Sequence, residues 1–587
     1  MKWRGTQCLW ILILSGQMAG RASNLDTIGV TLLQAVTTNV NGAGIRVAQP
    51  EAGNGTTTNW QVNPSTVGQP VSLFTYTSSN GTTNNYPNLL GAESGHADAV
   101  AGNFYGVPLG VATNVAHVDN YDASYFYNSI IAGSVPPNIN DAVVNQSFIF
   151  TGTNVSLQQT IDSQYDNYAA QYKTLFVSGT GNGGSVSSPA TCYNGIGVAV
   201  DNGSSSYGPT LDNGRAKPDI TAPGYPAGLA SFSTPYVSGA AAVLMQAGLR
   251  SDGGSDTNSG ADIRTVKALL LNGAIKPADW TNNASSPLDT RYGAGVLNVF
   301  NSYKQLIVGK RGYIVSTSVS IGNPHPPTGA TGTVGVLSGW DFNTNTSSFF
   351  SDEVNHYYFN VTNSVSNALF TATLTLVWNR QPNQSSINNL NLFLYNAANS
   401  NLVAVSTSAV DNVEHIFVPK LAQGRYDLQV LKAGGLTIVS SSEAYAFAFE
   451  FFSLPLNVVK SGTNVALRWP IYPTGFILES TTNLISPILW STNNPAPAVT
   501  NSQNCANSKS SRQNKSGARG VRWHEKSGKW LAAIRANGKY RHIGLFTSLD
   551  DARAAYDSAA EKHHGEFAFQ NRKLDGTVVL RNILAAG

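Results

Sequence analysis

The chain has 587 residues, of which 42% are hydrophobic, so it holds enough apolar material for several domains with cores. Charged residues make up only 12%, against about 25% in a typical soluble protein, which argues against a coiled coil or a long helical array. Three cysteines exclude a disulfide scaffold. A membrane-spanning helix needs about 18 or more consecutive apolar residues. No run beyond the N-terminus is that long, so we expect no membrane span.

The charge is divided unevenly along the chain. Residues 505–587 hold 15 basic and 7 acidic side chains, whereas residues 1–504 hold 21 basic and 26 acidic ones. A mildly acidic body therefore carries a basic tail, and such asymmetry favours binding of nucleic acid or another anionic surface at that end.

The first 22 residues have the pattern of a secretory signal peptide. Lys2 and Arg4 are followed by a short apolar stretch, and small residues stand at Gly20 and Ala22. The alternative is a buried N-terminal helix. The pattern predicts a secreted, extracellular protein.

Residues 25–307 alternate between short apolar runs and helix-like segments. The runs at 45–48, 143–145, 175–177 and 196–200 resemble strands, and residues 231–249 form a helical pattern rich in Ala, Gly and Ser. Buried strands separated by helices predict an α/β domain with a parallel sheet covered on both faces.

The pattern then changes to alternating β runs. Short β runs separated by turn residues predict an antiparallel β-sandwich accessory domain at 340–452. The same pattern predicts a small β module at 453–500. Within the sandwich domain, residues 410–416 and 424–428 resemble β-sandwich domains appended to secreted bacterial proteases, which implies a role in stabilising an enzyme or binding substrate surfaces; a structural spacer is the alternative. Residues 501–514 are polar and basic, which predicts a linker. Residues 515–571 contain three strand-like runs and one helical run, which predict a small three-stranded sheet plus helix.

Four segments of the first domain contain residues suited to nucleophilic catalysis. Ser231 opens the small-residue helix, where the helix N-terminus favours developing negative charge. His96 begins a second small-residue stretch, and Asn182 lies on a Gly-rich turn after a strand, where its amide could bind an oxyanion. Glu51 ends a strand. Each of these residues also has a structural explanation when taken alone.

Together, and in this order, the segments resemble the subtilisin-like serine proteases (subtilases). The similarity spans about 25–307 and includes the Ser231 segment, His96 with its small residues, Asn182, the Lys-Pro-Asp run at 217–219 and the closing segment 292–298. It implies that Ser231 is the nucleophile, His96 the general base and Asn182 the oxyanion ligand. It further implies substrate-binding roles for Ser147, Gly179 and Gly181.

The sequence departs from the subtilase pattern at several positions. Glu51 stands where the family has Asp, with Asp98 as a less suited substitute. Leu229 and Ala230 replace the usual Gly-Thr, and Tyr236 replaces a His. The resemblance therefore implies a secreted serine-type endopeptidase acting through a Ser/His/acid triad on protein or peptide substrates. An inert subtilase-like domain stays open as the alternative.

The tail resembles the ERF-type (Apetala-2-like) DNA-binding domain. The matching runs are 519–522, 552–557 and 565–568. The resemblance implies double-stranded DNA as a partner, contacted by basic residues of the sheet: Arg519, Arg522, Lys529, Arg535, Lys539 and Arg541. A plain basic surface is the alternative. A DNA-binding-type tail on an exported protease has three explanations. The two parts could come from a gene fusion or from a chimeric sequence, or the tail could bind extracellular DNA or another anionic polymer.

The sequence predicts no cofactor. Asp411 and Glu414 could contribute to a calcium site, but they lack the surrounding pattern of oxygen ligands. The second functional hypothesis is a DNA-binding protein whose subtilase-like domain is inert.

Overall fold

The computed structural model describes residues 24–53, 58–152, 154–363, 368–453, 521–536 and 539–564, together with the strands between 457 and 505. The predicted signal peptide and Arg519 lie outside these residues. The chain divides into one compact unit ending at Ser453 and a second beginning at Leu454. Among the described residues, no helix combines the length and apolar character needed to cross a membrane.

The first unit is built around an eight-stranded sheet in the order β12-β9-β8-β7-β1-β6-β3-β4. Its neighbouring strands are parallel except for the edge pair β3–β4. The predicted apolar runs fall in β1, β7, β8 and β9, and β7, β8 and β9 are buried along their whole length, as expected for a sheet covered on both faces. The strands of this domain, including two short ribbons, are β1 (Arg46–Glu51), β2 (Asn59–Gln61), β3 (Phe74–Thr77), β4 (Thr83–Asn84), β5 (Ala92–Glu93), β6 (His117–Asp122), β7 (Val143–Gln146), β8 (Leu175–Gly179), β9 (Ile196–Val200), β10 (Gly208–Pro209), β11 (Ala216–Lys217) and β12 (Ile220–Ala222).

One long helix, α5, packs against the middle of the sheet. Its small residues let it pack closely on its neighbours: a Cβ on Gly239 would lie 2.5 Å from Cβ of Val111, in the loop that follows residues 95–104. The helices are α1 (Val30–Val36), α2 (Gly95–Phe104), α3 (Ala123–Tyr125), α4 (Val155–Tyr172), α5 (Ala230–Leu249), α6 (Thr257–Gly260), α7 (Ile263–Asn272) and α8 (Val299–Val308), with a 3₁₀ turn at Val71–Leu73 and a π turn at Phe126–Ile131.

The rest of the first unit is a β-sandwich of two antiparallel sheets, in the orders β13-β15-β20-β17-β18 and β14-β21-β16-β19. Its core consists of Phe, Leu, Tyr and Trp side chains from both sheets. The sandwich begins upstream of the predicted boundary at 340, because β13 pairs with β15. Its strands are β13 (Val315–Ser320), β14 (Ser338–Thr346), β15 (Ser351–Val361), β16 (Phe370–Trp378), β17 (Leu390–Asn396), β18 (Leu402–Ser406), β19 (Val413–Leu421), β20 (Gly424–Lys432) and β21 (Ser442–Ser453).

The sandwich is joined to the α/β domain by buried polar contacts. Asn194 exchanges two hydrogen bonds with the backbone of Arg380, at 2.7 and 2.9 Å. The backbone N–H of Ala216 donates to Asp411 Oδ1 (2.8 Å), and Trp340 Nε1 donates to the carbonyl oxygen of Leu306 (3.0 Å). A continuous apolar core runs across the same junction.

The two acidic residues considered for calcium are engaged by protein donors. Asp411 accepts from Ala216 N–H and from Ser408 Oγ, and Glu414 accepts from the hydroxyl of Ser406 and from Ser408 N–H. Burial raises the pKa of Asp411 to about 6 and raises that of Glu414. In the described part of the chain, no cluster of three or more His, Cys, Asp or Glu residues has the arrangement of a metal site.

The described residues of the second unit form three sheets and one helix. Strand β27 falls inside the segment 501–514 that we predicted as a linker, and it pairs with β23 and β26. The predicted three-stranded sheet plus helix is present as β28-β29-β30 and α9. The elements are β22 (Asn457–Ser461), β23 (Asn464–Pro470), β24 (Glu479–Ser480), β25 (Ser491–Thr492), β26 (Ala498–Thr500), β27 (Gln503–Cys505), β28 (Val521–His524), β29 (Lys529–Ala536), β30 (Lys539–Phe546) and α9 (Leu549–His564).

A buried carboxyl group at the N-terminal end of β7 gives a prediction on pH dependence. Asp141 is 2% exposed, and neither carboxylate oxygen has a hydrogen-bond partner among the described residues. Burial and neighbouring Asp119 raise its pKa, and Arg46 Nε, 3.8 Å away, only partly offsets this. The folded protein thus keeps a proton that the unfolded chain releases, and stability falls as pH rises above the ordinary Asp range.

We expect Asp141→Asn to remove this loss of stability. The free energy of unfolding of the variant, relative to the natural chain, should increase by about 1 kcal/mol per pH unit from pH 5 upward. Urea unfolding at pH 5, 6 and 7 would measure it. A variant whose relative stability does not change with pH would contradict the prediction.

Candidate functional site

The predicted catalytic residues converge at the carboxyl edge of the parallel sheet. Glu51 is the last residue of β1, Ser147 directly follows β7, and Asn182 lies three residues beyond β8. The N-termini of α2 and α5 point to the same edge and contribute His96 and Ser231, each the second residue of its helix. In open α/β sheets this edge is where ligands bind.

His96 is held at the start of α2 and contacts Glu51. The helix is capped by Ser94, whose side chain accepts from Ala97 N–H (3.3 Å). His96 Nδ1 lies 3.0 Å from Glu51 Oε2. Burial lowers the pKa of His96, but the charge of Glu51 and this hydrogen bond outweigh burial, so the pKa is raised overall. Glu51 can therefore orient the imidazole and stabilise its protonated form.

Asp98, the other carboxyl group considered as the triad acid, is engaged elsewhere. Its Oδ1 accepts from Asn63 N–H at 2.7 Å. Burial and neighbouring Glu93 raise the pKa of Asp98 to about 7. The carboxylate that contacts His96 is that of Glu51.

Glu51 is itself bound by residues that the sequence analysis did not single out. Its Oε1 accepts from Gln49 Nε2 at 2.8 Å, and Gln49 Oε1 accepts from the hydroxyl of Tyr105 at 2.6 Å. All three side chains are buried. The signal in the sequence was Gln49, a polar residue between the apolar residues Ala48 and Pro50 of the strand.

Ser231 lies in the first turn of α5, next to Ser147. Ser231 Oγ is 3.4 Å from the carbonyl oxygen of Ser147, and Ser147 Oγ donates to the carbonyl oxygen of Ser231 at 2.8 Å. Among the described contacts, Ser231 and His96 share no hydrogen bond. The ring of Phe232 lies 5.5 Å from the His96 ring. Catalytic hydrogen bonds are often long or unformed without substrate, so this geometry is compatible with a Ser–His pair that closes on binding.

Asn182 is exposed on its glycine-rich turn and is tied to the start of α5. Its Oδ1 accepts from Ala230 N–H at 2.8 Å. Because this bond uses the amide oxygen of Asn182, the NH₂ group is the part of the side chain that can donate to a substrate. A donor beside the N-terminus of a helix suits an oxyanion.

The predicted substrate-binding glycines lie where side chains would not fit. A Cβ on Gly179 would lie 3.0 Å from Thr234 Oγ1. Gly181 has a φ of +107°, and its Cβ would lie 2.7 Å from Ser206 Oγ. Asn145 Nδ2 donates a hydrogen bond to Ser147 Oγ at 3.0 Å. The turn and the strand end are therefore shaped by backbone rather than by bulky side chains.

Five of the six predicted DNA-contacting residues belong to strands of the small C-terminal sheet. Arg522, Lys529 and Arg541 are exposed on β28, β29 and β30. Arg535 and Lys539 belong to β29 and β30, but their side chains lie outside the described part of the structure, as does Arg519. One face of the sheet packs on α9 through a small core that includes Val521, Ala532, Ile534, Ala552 and Tyr556. Arg522 pairs with Leu531, one position out of step with these core residues, and so belongs to the opposite face.

Comparison with protein families identifies the first domain. Residues 72–295 match the model of the subtilase family, peptidase family S8, so this part of the chain is a subtilase-family domain. The match includes His96, Asn182 and Ser231 and begins after Glu51, although β1 is an inner strand of the same sheet. Comparison with curated protein sequences finds no match.

Several solved structures are similar to parts of this chain. MycP1 with its N-terminal propeptide removed is 18% identical over 48% of this chain and 96% of its own, with a TM-score of 0.31. A chain from the subtilase cytotoxin SubAB assembly is 17% identical over 49% and 96%, with a TM-score of 0.33. Tripeptidyl peptidase 2 is 12% identical over 68% and 43%, with a TM-score of 0.29.

Proposed function

We propose that the protein is a serine endopeptidase that hydrolyses peptide bonds through Ser231, His96 and Glu51. The observation that supports this most strongly is the hydrogen bond between His96 Nδ1 and Glu51 Oε2, at 3.0 Å, beside the start of the Ser231 helix. The subtilase-family match of residues 72–295 supports a serine peptidase as the reaction class.

In this mechanism Ser231 Oγ attacks the carbonyl carbon of the substrate. His96 Nε2 takes the hydroxyl proton and then gives it to the leaving amine, while Glu51 accepts from Nδ1–H and stabilises the imidazolium. The oxyanion accepts a hydrogen bond from the Asn182 NH₂ group and is stabilised by the positive end of the α5 dipole. Water then attacks the acyl–Ser231 ester, and the acid product leaves with Ser231 restored.

A fluorophosphonate probe tests this proposal, because it reacts only with an activated serine. We expect the full chain to be labelled at Ser231, as located by mass spectrometry, and Ser231→Ala to lose all labelling. Ser233→Ala is the matched control, since Ser233 is buried in the same helix turn. Absence of labelling in folded natural protein would contradict the proposal and favour an inert subtilase-like domain.

We also propose that the protein is secreted, with residues 1–22 as the signal peptide. The support is the sequence pattern of two basic residues, a short apolar stretch and small residues before position 23. Its substrates would then be extracellular proteins or peptides.

A second proposed activity is binding of double-stranded DNA by the C-terminal sheet. The supporting observation is that Arg522 and Lys529 are exposed on the face of the sheet away from α9. Arg541 is also exposed, but it pairs with the core residue Ile534 and so belongs to the α9 face. Residues 505–587 also carry 15 basic against 7 acidic side chains. A flat basic sheet can enter the major groove, with arginines contacting bases.

We expect the full chain to bind duplex DNA with an affinity that falls as salt rises. Arg522→Ala should weaken binding by about tenfold, consistent with the loss of one specific arginine contact. Arg553→Ala removes the same charge from α9, where Arg553 pairs with Asp550, and is the matched control. Equal weakening by both variants in a fluorescence-anisotropy titration would show that charge alone accounts for the binding.

A further inference from the structure

A buried polar side chain stands beside the carboxylate of the proposed triad. Gln49 is 0% exposed in the middle of β1, a position where an apolar side chain would be expected in a fully buried strand. A buried amide without partners is costly, so its contacts carry information about why it is there. It makes three: with Glu51, with Ala97 and with Tyr105.

These three contacts fix which way the amide points. The carbonyl oxygen of Ala97, 3.0 Å away, can only accept, so Nε2 must face it. The same NH₂ group donates its second hydrogen to Glu51 Oε1 at 2.8 Å. Gln49 Oε1 then accepts from the Tyr105 hydroxyl at 2.6 Å. Every polar atom of the Gln49 side chain is thereby used, and the amide cannot turn without losing bonds.

The backbone of Gln49 is held as well. Asn120 Nδ2 donates to the Gln49 carbonyl oxygen at 2.8 Å, and Asn120 Oδ1 accepts from Val62 N–H at 3.0 Å. Because Asn120 belongs to β6, the neighbouring strand, the donor that faces Glu51 is anchored in the sheet rather than in a loop.

A glutamate in this role needs such an anchor. Compared with aspartate, it has one more methylene and one more rotatable bond, so its carboxylate has more positions to occupy. One oxygen is fixed by Gln49, and the other is thereby directed at His96 Nδ1. We infer that Gln49, oriented by Tyr105, is a positioning residue that holds Glu51 against His96. The inference rests on the proposed serine peptidase function.

A double-mutant cycle on the full chain tests this dependence. Gln49→Met keeps about the same side-chain volume and removes all three side-chain hydrogen bonds. We expect it to slow fluorophosphonate labelling at least about tenfold, as misplacing a catalytic group does. In a Glu51→Ala background the same substitution should change the rate less than about twofold, because its effect passes through Glu51. The same fold-loss in both backgrounds would overturn the inference.

Tyr105→Phe provides a milder variant in case Gln49→Met fails to fold. It removes one hydroxyl and should slow labelling by a few-fold. Tyr165→Phe is the matched control: Tyr165 is fully buried and its hydroxyl accepts from Gln146 Nε2 at 2.7 Å, away from Glu51. Equal slowing by the two Tyr→Phe variants would point to general loosening of the core and against positioning.

A third measurement does not depend on activity. The His96 imidazole can be titrated by NMR and assigned with His96→Gln. We expect the His96 midpoint to fall in Gln49→Met, because Glu51 is no longer held at Nδ1. An unchanged midpoint would overturn the inference even in a protein that does not react with the probe. If the natural chain is not labelled but the midpoint shifts, the proposed function fails while the positioning role stands.

Discussion

Replacing Glu51 by glutamine should lower kcat/KM for a peptide substrate by about 10³–10⁴-fold. The geometry gives a specific reason. Gln49 Nε2 donates to Oε1 of residue 51, so a glutamine there would turn its oxygen toward Gln49 and its NH₂ group toward His96 Nδ1. Nδ1 would then be an acceptor, and the neutral ring would carry its proton on Nε2. That tautomer cannot take the proton of Ser231.

The matched control is Glu93→Gln. Glu93 is an exposed carboxylate three residues before His96, and it contacts Asn63 and Thr66. Its neutralisation removes the same charge near the site and should leave kcat/KM within about twofold, since surface charges act weakly through solvent. Steady-state kinetics with a chromogenic peptide would measure both. A Glu51→Gln enzyme retaining more than about a tenth of the natural activity would contradict the assigned role.

The largest effect on stability is expected at Asp219, in the Lys-Pro-Asp segment that precedes the Ser231 helix. Its carboxylate is buried between Lys217 Nζ at 2.6 Å and Lys267 Nζ at 3.1 Å, and it accepts from Gly197 N–H at 2.6 Å. Asp219→Asn would leave two buried ammonium groups without their shared anion. We expect the free energy of unfolding to fall by about 3–5 kcal/mol, as when one partner of a buried ion pair is removed.

The pH dependence of that loss follows from the same contacts. Burial raises the pKa of Asp219, but Lys217 and Lys267 outweigh it and the pKa is lowered overall. The stabilisation is therefore complete above the ordinary Asp pKa of about 3.9 and is lost as pH falls through the lower folded-state value. Urea unfolding at pH 7 and pH 3 should show a large difference between the chains at pH 7 and a smaller one at pH 3.

Asp256→Asn is the corresponding exposed control. Asp256 pairs with Lys310 at 2.8 Å, but its side chain is 42% exposed. Solvent screens such a pair, and its loss should cost less than about 1 kcal/mol. Similar losses for Asp219→Asn and Asp256→Asn would mean that burial of the first pair does not matter.

Local sequence patterns were enough to predict the parallel-sheet α/β domain and the antiparallel sheets that follow it. The apolar runs at 143–145, 175–177 and 196–200 lie in adjacent parallel strands. A helix separates the first two, as expected, whereas the described residues between the second and third contain turns but no helix. The helix predicted from Ser231 begins one residue earlier, at Ala230. The three C-terminal strands and their helix follow from a turn signal and a change of period.

The parts that could not be predicted depend on residues distant in sequence. Glu51 and His96 are 45 residues apart, and only the resemblance to subtilases connected them in the sequence. Tyr105 contacts Gln49 across 56 residues, which neither that resemblance nor a local pattern indicated. Hydrophobic periodicity describes neighbouring residues and cannot predict contacts between residues this far apart. The same holds for Asp141 and Asp119, whose proximity exists only once β6 and β7 flank β1. Propensity describes which segments form strands, but only the assembled sheet determines which polar side chains meet.

The junction between the α/β domain and the sandwich has a consequence for how the first unit comes apart. Asn194 and the Ala216 N–H are buried against Arg380 and Asp411, and cutting the sandwich away would leave these groups without partners in an opened apolar core. Neither the α/β domain nor the sandwich can unfold without exposing the buried surface of the other to water. The unit ending at Ser453 is thus one cooperative body, and heat or denaturant should melt it in a single transition rather than two.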